Sequence, residues 1–222
     1  MSDILYIDLE TVHATSLDII KDITDNIQPP KNIKLDASKI KWFKEKGSDA
    51  VNDALSKTSF NGFAGEIVCI GWAVNDKPVQ TIHRGVGESE SDMLEYFWNR
   101  LVLEHSVNFN PLYVAHNIEF DLPFLYKRCL VNNIKPLIDL PRNPRAWDKR
   151  VFCTLHETMG LNHAGGSLDK LSRLLGLGHK TDGIDGSMVN QAWLDGKIIE
   201  IADYCKNDVE LLRKLYKRIL FL

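Results

Sequence analysis

Two carboxylates separated by one residue stand at the end of the first apolar segment of the chain. Residues 4–9 are apolar and β-prone, and this segment carries Asp8 and leads into Glu10. Because side chains on a strand alternate between its two faces, both carboxylates point the same way. Their repulsion requires a cation, and oxygen ligands suit Mg²⁺ or Mn²⁺. Taken alone, the pattern is equally compatible with exposed charges at a strand end.

Two later segments carry acids in settings of their own. Asp121 follows a predicted strand over residues 112–116, and ligands in α/β folds gather at the carboxyl ends of strands. On its own, however, this position favours a helix N-cap. Tyr204 and Asp208 are four residues apart on a predicted helix, so they share one face. That face is otherwise apolar, so Asp208 needs a partner such as a metal ion. The alternative is that Tyr204 is a packed core residue and Asp208 lies at the edge of the apolar face.

The elements that must position these residues alternate along the chain. Strands are predicted at residues 4–9, 66–74, 78–84, 112–116 and 151–155, and helices at 88–104, 167–175 and 198–220. Asn75-Asp76-Lys77 predicts a hairpin turn, and another helix is predicted after residue 116 with Pro123 in its first turn. Hairpin strands followed by strands alternating with helices indicate an α/β fold, a mixed sheet covered by helices.

Residues 12–62 interrupt this pattern. They are rich in Lys, Asp, Asn and Ser, and helices are predicted at 16–27 and 36–55, on either side of Pro29-Pro30. We expect a helical insertion between the first two strands of a single domain over residues 1–222, not a second domain.

The bulk composition restricts the location and the partners. The chain has 27 basic and 30 acidic residues, so we expect any nucleic acid to bind locally in a cleft rather than on a broad basic surface. The four cysteines have no short spacing, the N-terminus does not resemble a signal peptide, and no apolar run is long enough to span a membrane. A cytoplasmic protein with free thiols is therefore predicted. The dispersed His116, His156 and His163 are interpreted as structural.

Two groups of basic residues could follow a phosphate backbone. One lies on the last predicted helix, where a solvated charged face is the favoured interpretation. The other lies in a proline-rich loop before residue 151 and is slightly favoured for nucleic acid; it comprises Arg142, Arg145, Lys149 and Arg150. Trp147 in this loop could stack on a base, but we predict that it is half-buried.

In combination, the three acidic segments resemble a known enzyme family. D-x-E-T at residues 8–11, N-x-x-F-D at 117–121 and Y-x-x-x-D at 204–208 match, in order and setting, the motifs of the DEDD (DnaQ-like) 3′–5′ exonucleases, in the subgroup with tyrosine in the third motif. The last seventy residues are similar to the exonuclease part of family-B DNA polymerases. No polymerase domain follows in the sequence, so the chain resembles a stand-alone relative.

The resemblance implies a ribonuclease H-like fold and a two-metal mechanism. Asp8, Glu10, Asp121 and Asp208 would hold two Mg²⁺ or Mn²⁺ ions, with Asp8 bridging them and Asp121 acting partly through water. Tyr204 would orient the attacking water. The terminal nucleotide would contact a further set of groups: Thr11, the backbone at Leu9, Asn117 and Phe120.

Three alternatives for the function follow from this resemblance. Single-stranded DNA 3′ ends are favoured because the C-terminal third resembles the polymerases, with 5′-mononucleotides as products. RNA or small oligonucleotides are the second alternative. A catalytically silent nucleic-acid-binding module of the same fold is the third, and the intact set of four carboxylates and a tyrosine argues against it.

Overall fold

A five-stranded mixed sheet forms the centre of the computed structural model, which describes residues 3–145, 147–160, 165–180 and 183–222. The spatial order is β3-β2-β1-β4-β5. The strands are β1 (Ile4–Val12), β2 (Glu66–Val74), β3 (Gln80–His83), β4 (Leu112–Ala115) and β5 (Val151–Cys153). β2 is antiparallel to β1 and β3, whereas β4 is parallel to β1 and β5. The predicted hairpin and mixed sheet are confirmed; His163 lies outside the described residues.

Eight helices and one 3₁₀ turn occur in the described part of the chain. They are α1 (Leu17–Asn26), α2 (Asp36–Ser56), the 3₁₀ turn Lys57–Phe60, α3 (Glu90–His105), α4 (Ile118–Val131), α5 (Thr154–Met159), α6 (Leu168–Leu174), α7 (Val189–Leu194) and α8 (Ile198–Ile219). The short helices α5 and α7 were not predicted. None of the described helices is long and apolar enough to cross a membrane.

Three local predictions were wrong. α4 begins at Ile118, so Pro123 is its sixth residue and lies beyond the first turn. The helix starts this early because the Asn117 carbonyl accepts the N–H groups of Phe120 and Asp121, at 2.8 and 3.1 Å. The strand predicted for residues 151–155 ends at Cys153, where α5 takes over. Trp147 is 81% exposed rather than half-buried.

The two faces of β1 are covered by different helices. Leu5, Ile7 and Leu9 pack into a core that includes α3 and α4. Tyr6 points to the opposite face and packs with Val209 and other residues of α8. Because side chains alternate along a strand, Asp8 and Glu10 lie on the α8 side of the sheet. All four cysteines are buried and free.

The helical insertion between the first two strands is confirmed, and it packs loosely. No residue of α1 is buried, and in α2 only Gly47 is. The segment that follows α2 is tied more firmly to the sheet, since the Thr58 hydroxyl accepts the Ala14 N–H at 2.7 Å and donates to the Leu55 carbonyl at 2.6 Å.

Gly71 allows α8 to approach the sheet beside the carboxylates. It lies opposite Asp8 in the pairing of β1 with β2. A Cβ atom at this position would lie 2.8 Å from the Cys205 sulfur and 3.0 Å from a Val209 methyl group. These separations are shorter than van der Waals contact, so only glycine fits under α8 without moving it.

We therefore expect Gly71→Ala to lower the free energy of unfolding by about 1–3 kcal/mol through overpacking. Cys205→Ala removes the closest atom, so it should recover part of that loss in the double variant. Gly85→Ala is the matched control, because the nearest atom to its added Cβ is 3.7 Å away. Urea unfolding at equilibrium measures the stability of the parent, the Gly71→Ala and Gly85→Ala variants, and the Gly71→Ala/Cys205→Ala double variant. Equal stability of the Gly71 and Gly85 variants would contradict this account.

Candidate active site

Asp8 and Glu10 lie side by side on β1 and form the centre of an acidic cluster. In the sheet register they are opposite Gly71 and Cys69 of β2. One ligand atom from each carboxylate and the sulfur of Cys205 all lie within 4.8 Å of one another, the one group of potential metal ligands this compact in the described residues. Glu10 is only 7% exposed. The predicted convergence of these two side chains on one face is present.

Cys205 supports Asp8 rather than offering a ligand of its own. Its sulfur lies 3.6 Å from Oδ2 of Asp8 and 3.7 Å from the carbonyl oxygen of the same residue. Burial, together with the neighbouring Cys69, raises the pKa of the Cys205 thiol well above its ordinary value. The thiol therefore stays protonated and acts as a weak donor to Asp8.

Asp121 reaches the cluster from the start of α4, the helix that follows β4, and β4 pairs with the edge of β1 opposite β2. It is 5% exposed. Burial and then the charge of Asp8 raise its pKa well above the ordinary value, while backbone hydrogen bonds, including one at Leu9, oppose the rise. The Asp121 carboxyl is thus an electrostatic neighbour of Asp8, outside the group of atoms within 4.8 Å.

Tyr204 and Asp208 project together from α8, as their spacing predicts, and both are buried. Lys180, in the segment after α6, joins them. Its ammonium group donates to the Tyr204 hydroxyl at 2.6 Å and forms an ion pair with Oδ2 of Asp208. It also lies 4.5 Å from the centroid of the Tyr204 ring. The other oxygen of Asp208, Oδ1, is buried without a hydrogen-bond partner among the described residues.

The ionisation of the cluster is governed by burial and by like charges. Burial, followed by the charge of Asp208, raises the pKa of Asp8 to about 7. Burial and then Asp8 raise the pKa of Glu10 well above its usual range. Burial also raises the pKa of Asp208, although Lys180 opposes this. Carboxyls that resist ionisation when packed together gain most from a nearby cation.

The donor set fits hard divalent ions. The four carboxylates are Asp8, Glu10, Asp121 and Asp208, and oxygen is the ligand atom that Mg²⁺ and Mn²⁺ prefer. The unpartnered Oδ1 of Asp208 is an acceptor in need of a partner, which a bound cation would provide. Within the described residues Lys180 is the cation bonded to Asp208, and its one positive charge would offset only part of the negative charge that the four carboxyls carry when ionised.

The residues expected to contact a nucleotide lie around this cluster. The Thr11 hydroxyl donates to the Ser59 carbonyl at 2.9 Å, so it is already engaged. Leu9 is buried in the core below. Asn117 is exposed and makes no side-chain capping bond to α4. Phe120 is half-buried, with its ring 5.2 Å from that of Phe124.

Sequence reasoning missed Lys180, which is 24 and 28 residues from its two partners. No periodicity connects a loop lysine to a helix so far along the chain. The basic loop before residue 151 was slightly favoured for nucleic acid. Part of its positive charge is neutralised within the protein, since Arg150 pairs with Asp139 and Asp148. Basic side chains of α8 instead hold neighbouring loops, as where Arg213 donates to the Lys77 carbonyl at 2.7 Å.

Comparisons with known proteins agree with this geometry. A family model described as a predicted 3′–5′ exonuclease related to the exonuclease domain of PolB matches residues 65–220. No curated protein matches the chain. The structure is similar to a family B DNA polymerase from the hyperthermophilic archaeon Pyrobaculum calidifontis, with a TM-score of 0.59 at 14% identity. That match covers 99% of this chain and 25% of the polymerase chain. The likeness confirms the ribonuclease H-like fold.

The raised pKa of Asp8 predicts how the metal-free protein responds to pH. Between the ordinary aspartate pKa of about 3.9 and about 7, the folded protein keeps a proton that the unfolded chain has lost. The free energy of unfolding therefore falls as pH rises through that window. In EDTA, Asp8→Asn should raise the melting temperature at about pH 8 more than at about pH 5.

Thermal melts at both pH values measure the effect, and Asp25→Asn on the exposed helix α1 is the matched control. Added Mn²⁺ should raise the melting temperature of the parent and do much less for the Asp8 variant, since a ligand stabilises only the state that binds it. If Asp8→Asn raises the melting temperature equally at both pH values, ionisation of Asp8 does not destabilise the folded protein and the prediction is wrong.

Proposed function

The chain belongs to the predicted 3′–5′ exonucleases related to the exonuclease domain of PolB, and from this membership we propose that it hydrolyses single-stranded DNA from the 3′ end and releases 5′-mononucleotides. The observation that carries the proposal is the meeting of β1 and α8. Asp8 and Glu10 come from the strand, and Tyr204 and Asp208 come from the helix. Asp8 is half-buried, and the other three are buried beside it at one seam. Such a seam is suited to the charge of a phosphodiester once cations are bound.

Asp8, Glu10, Asp121 and Asp208 would hold two Mg²⁺ or Mn²⁺ ions, with Asp8 shared between them. The support is the oxygen-only donor set, the mutual repulsion that raises the carboxyl pKa values, and the unpartnered Oδ1 of Asp208. Bound ions would supply activation of the attacking water and charge stabilisation at the attacking and leaving oxygens.

The chain's own residues would position the reactants. Burial, and then the charge of Asp208, raises the pKa of Tyr204, so its hydroxyl stays neutral and can hydrogen-bond a water molecule. The ammonium group of Lys180 bonds both that hydroxyl and the Asp208 carboxylate. In this role Lys180 keeps Tyr204 and Asp208 in one arrangement, which favours an in-line approach of water to the scissile phosphate.

The DNA preference and the cellular setting are part of the proposal. The similarity to a DNA polymerase supports DNA, although the chain spans only a quarter of that protein. Thr11, the backbone at Leu9, Asn117 and Phe120 would flank the terminal nucleotide. Four free cysteines support a reducing, cytoplasmic environment.

The decisive experiment compares DNA and RNA oligomers labelled at the 3′ or the 5′ end. With Mg²⁺ or Mn²⁺, 3′-labelled single-stranded DNA should release labelled mononucleotide at once, and 5′-labelled DNA should shorten stepwise. Ca²⁺ should support little activity because its looser coordination suits the in-line step poorly. Cuts inside a circular single strand, full activity in excess EDTA, or faster degradation of the RNA would contradict the proposal.

Tyr204→Phe separates the chemistry of this residue from its packing. The ring remains, so the free energy of unfolding should change by less than about 1.5 kcal/mol. Loss of the hydroxyl should lower the single-turnover rate by roughly 10²–10⁴ at saturating Mg²⁺. Tyr216→Phe is the matched control, because Tyr216 is also buried on α8 but packs against Tyr6. A Tyr204 variant with a near-parental rate would remove the residue from the mechanism.

A further inference from the structure

Helix α2 turns an apolar face towards solvent. Ile40 is 59% exposed and Phe43 is 45% exposed, and their spacing of three residues makes them neighbours on one side of the helix. The same side continues with the small residues Gly47, Ala50 and Ala54, so that spacings of three and four residues alternate along the whole series. This alternation is the pattern along which one helix packs against another.

A groove of about 440 Å³ lies between α1 and α2 beside this face. Ile27, which caps α1, lines one side of the groove, and Phe43, Gly47 and Val51 of α2 line the other. Among the described residues, only side-chain atoms of Phe43 lie within 4 Å of a Cβ added at Gly47, so neither α1 nor the sheet fills this space. A helix as short as α1 is marginal in water on its own, so a partner that covers the groove would stabilise both helices.

The charge of α2 changes sign at Gly47. Within the helix, four lysines and two acidic residues precede this glycine, whereas two aspartates and no basic residue follow it. The first half is thus net positive and the second half is net negative by the same amount. A second α2 that runs antiparallel to the first places opposite charges together at both ends, whereas a parallel copy places like charges together.

Two of these charges, Lys46 and Asp53, flank the apolar series on one side. They are seven residues apart, which is two turns, so their side chains project from the same side of the helix. Each directly precedes a small member of the series, Gly47 and Ala54. Both are exposed, and neither forms an ion pair with any residue that the structure describes. The two charges are therefore available to a partner.

A second copy of the chain suits this face better than a nucleic acid does. α1, which forms the other wall of the groove, has three aspartates and one lysine: Asp18, Asp22, Asp25 and Lys21. The negative charge of α1 and of the second half of α2 repels a phosphate backbone, and it attracts the basic half of another α2.

We propose that α2 forms the interface of a homodimer, in which the α2 helices of two copies pack antiparallel about a two-fold axis. Phe43 then packs against Ala54 of the partner subunit, so that a large side chain meets a small one. Gly47 meets Ala50 of the partner subunit, which allows the two backbones to approach closely at the centre. Because a two-fold interface is isologous, each contact occurs twice.

The same register joins the charges on the flank of the helix. Lys46 of each copy faces the partner's Asp53, so the dimer contains two ion pairs that the single chain does not form. This interface uses none of the residues assigned to the chemistry. The proposal therefore goes beyond the nuclease activity and does not depend on it.

Sedimentation equilibrium of the full chain at micromolar concentrations tests the proposal, and the parent should show a monomer–dimer equilibrium. Lys46→Asp replaces both ion pairs by pairs of aspartates, and Asp53→Lys replaces them by pairs of lysines. Each substitution should raise the dissociation constant of the dimer roughly 4- to 30-fold, since two attractive pairs become repulsive. Phe43→Ala should weaken the dimer as well, because it removes the largest side chain of the series.

Mixing the two charge variants distinguishes an antiparallel helix pair from other arrangements. The Lys46→Asp copy has aspartate at both positions and the Asp53→Lys copy has lysine at both, so a heterodimer regains two attractive pairs. An equimolar mixture should therefore dimerise as strongly as the parent, and so should the Lys46→Asp/Asp53→Lys double variant. If the mixture dimerises no more strongly than either variant alone, the antiparallel arrangement is wrong.

Lys31→Asp is the matched control, because Lys31 is exposed in the connection between α1 and α2 and its charge changes by the same amount. This control should leave the dimer unchanged, and a thermal melt checks that each variant is folded. A parent that stays monomeric at every concentration, or a dimer that neither charge reversal weakens, would overturn the proposal.

Fluorescence anisotropy of labelled single-stranded DNA in EDTA tests the other occupant of this face. If the parent is monomeric and Lys46→Asp weakens DNA binding while Lys31→Asp does not, the face binds nucleic acid and the dimer proposal is wrong. If the parent dimerises as described and no nuclease activity is found, the dimer stands and the proposed function fails alone.

Discussion

Repulsion among carboxylates packed together at one seam is the constraint on which the rest of this structure depends. Asp8 interacts with Asp208 and Glu10, and Asp121 interacts with Asp8, in surroundings that penalise each charge. Among the described residues, one lysine, a protonated thiol and backbone hydrogen bonds stabilise the ionised carboxylates. These groups reduce the repulsion without removing it. A bound cation would relieve this cost in stability, and for this reason the cluster supports the proposed metal site.

The scaffold tolerates the seam because β1 is anchored in apolar clusters on both sides of the sheet. Leu5, Ile7 and Leu9 anchor β1 in a large core against α3 and α4, while Tyr6 anchors the strand against α8. Hydrophobic burial on both sides of the sheet stabilises the protein enough to offset a locally unfavourable site. Gly71 then sets how close α8 comes to the sheet, and therefore how close Tyr204 and Asp208 come to Asp8.

The candidate active site is assembled from both sides of the boundary of the family match. Asp8 and Glu10 precede residue 65, whereas Asp121, Tyr204 and Asp208 follow it. The central position of β1 in the sheet joins the two sets, because β1 pairs with β2 on one edge and β4 on the other. The insertion that follows β1 returns to this strand through Thr58 and Ser59, which bond Ala14 and Thr11 just after the acids.

Local periodicity in the sequence determines much of this arrangement. Strand alternation places Asp8 and Glu10 on one face, and the four-residue spacing places Tyr204 and Asp208 on one side of a helix, because both repeats are properties of the backbone itself. The order of the elements likewise indicates the mixed sheet and the helical insertion. Asp121 can be placed at a strand-to-helix junction, although sequence alone cannot choose between a metal ligand and a helix cap.

Tertiary packing decides the contacts between segments far apart in sequence. The bonds of Lys180 to Tyr204 and Asp208, and the approach of Cys205 to Asp8 across 197 residues, have no local signature. The early start of α4 before Pro123 and the exposure of Trp147 also depart from the local pattern. A residue's own neighbours fix which way its side chain faces, whereas the partner it meets depends on how distant elements pack, and that is set by the whole core.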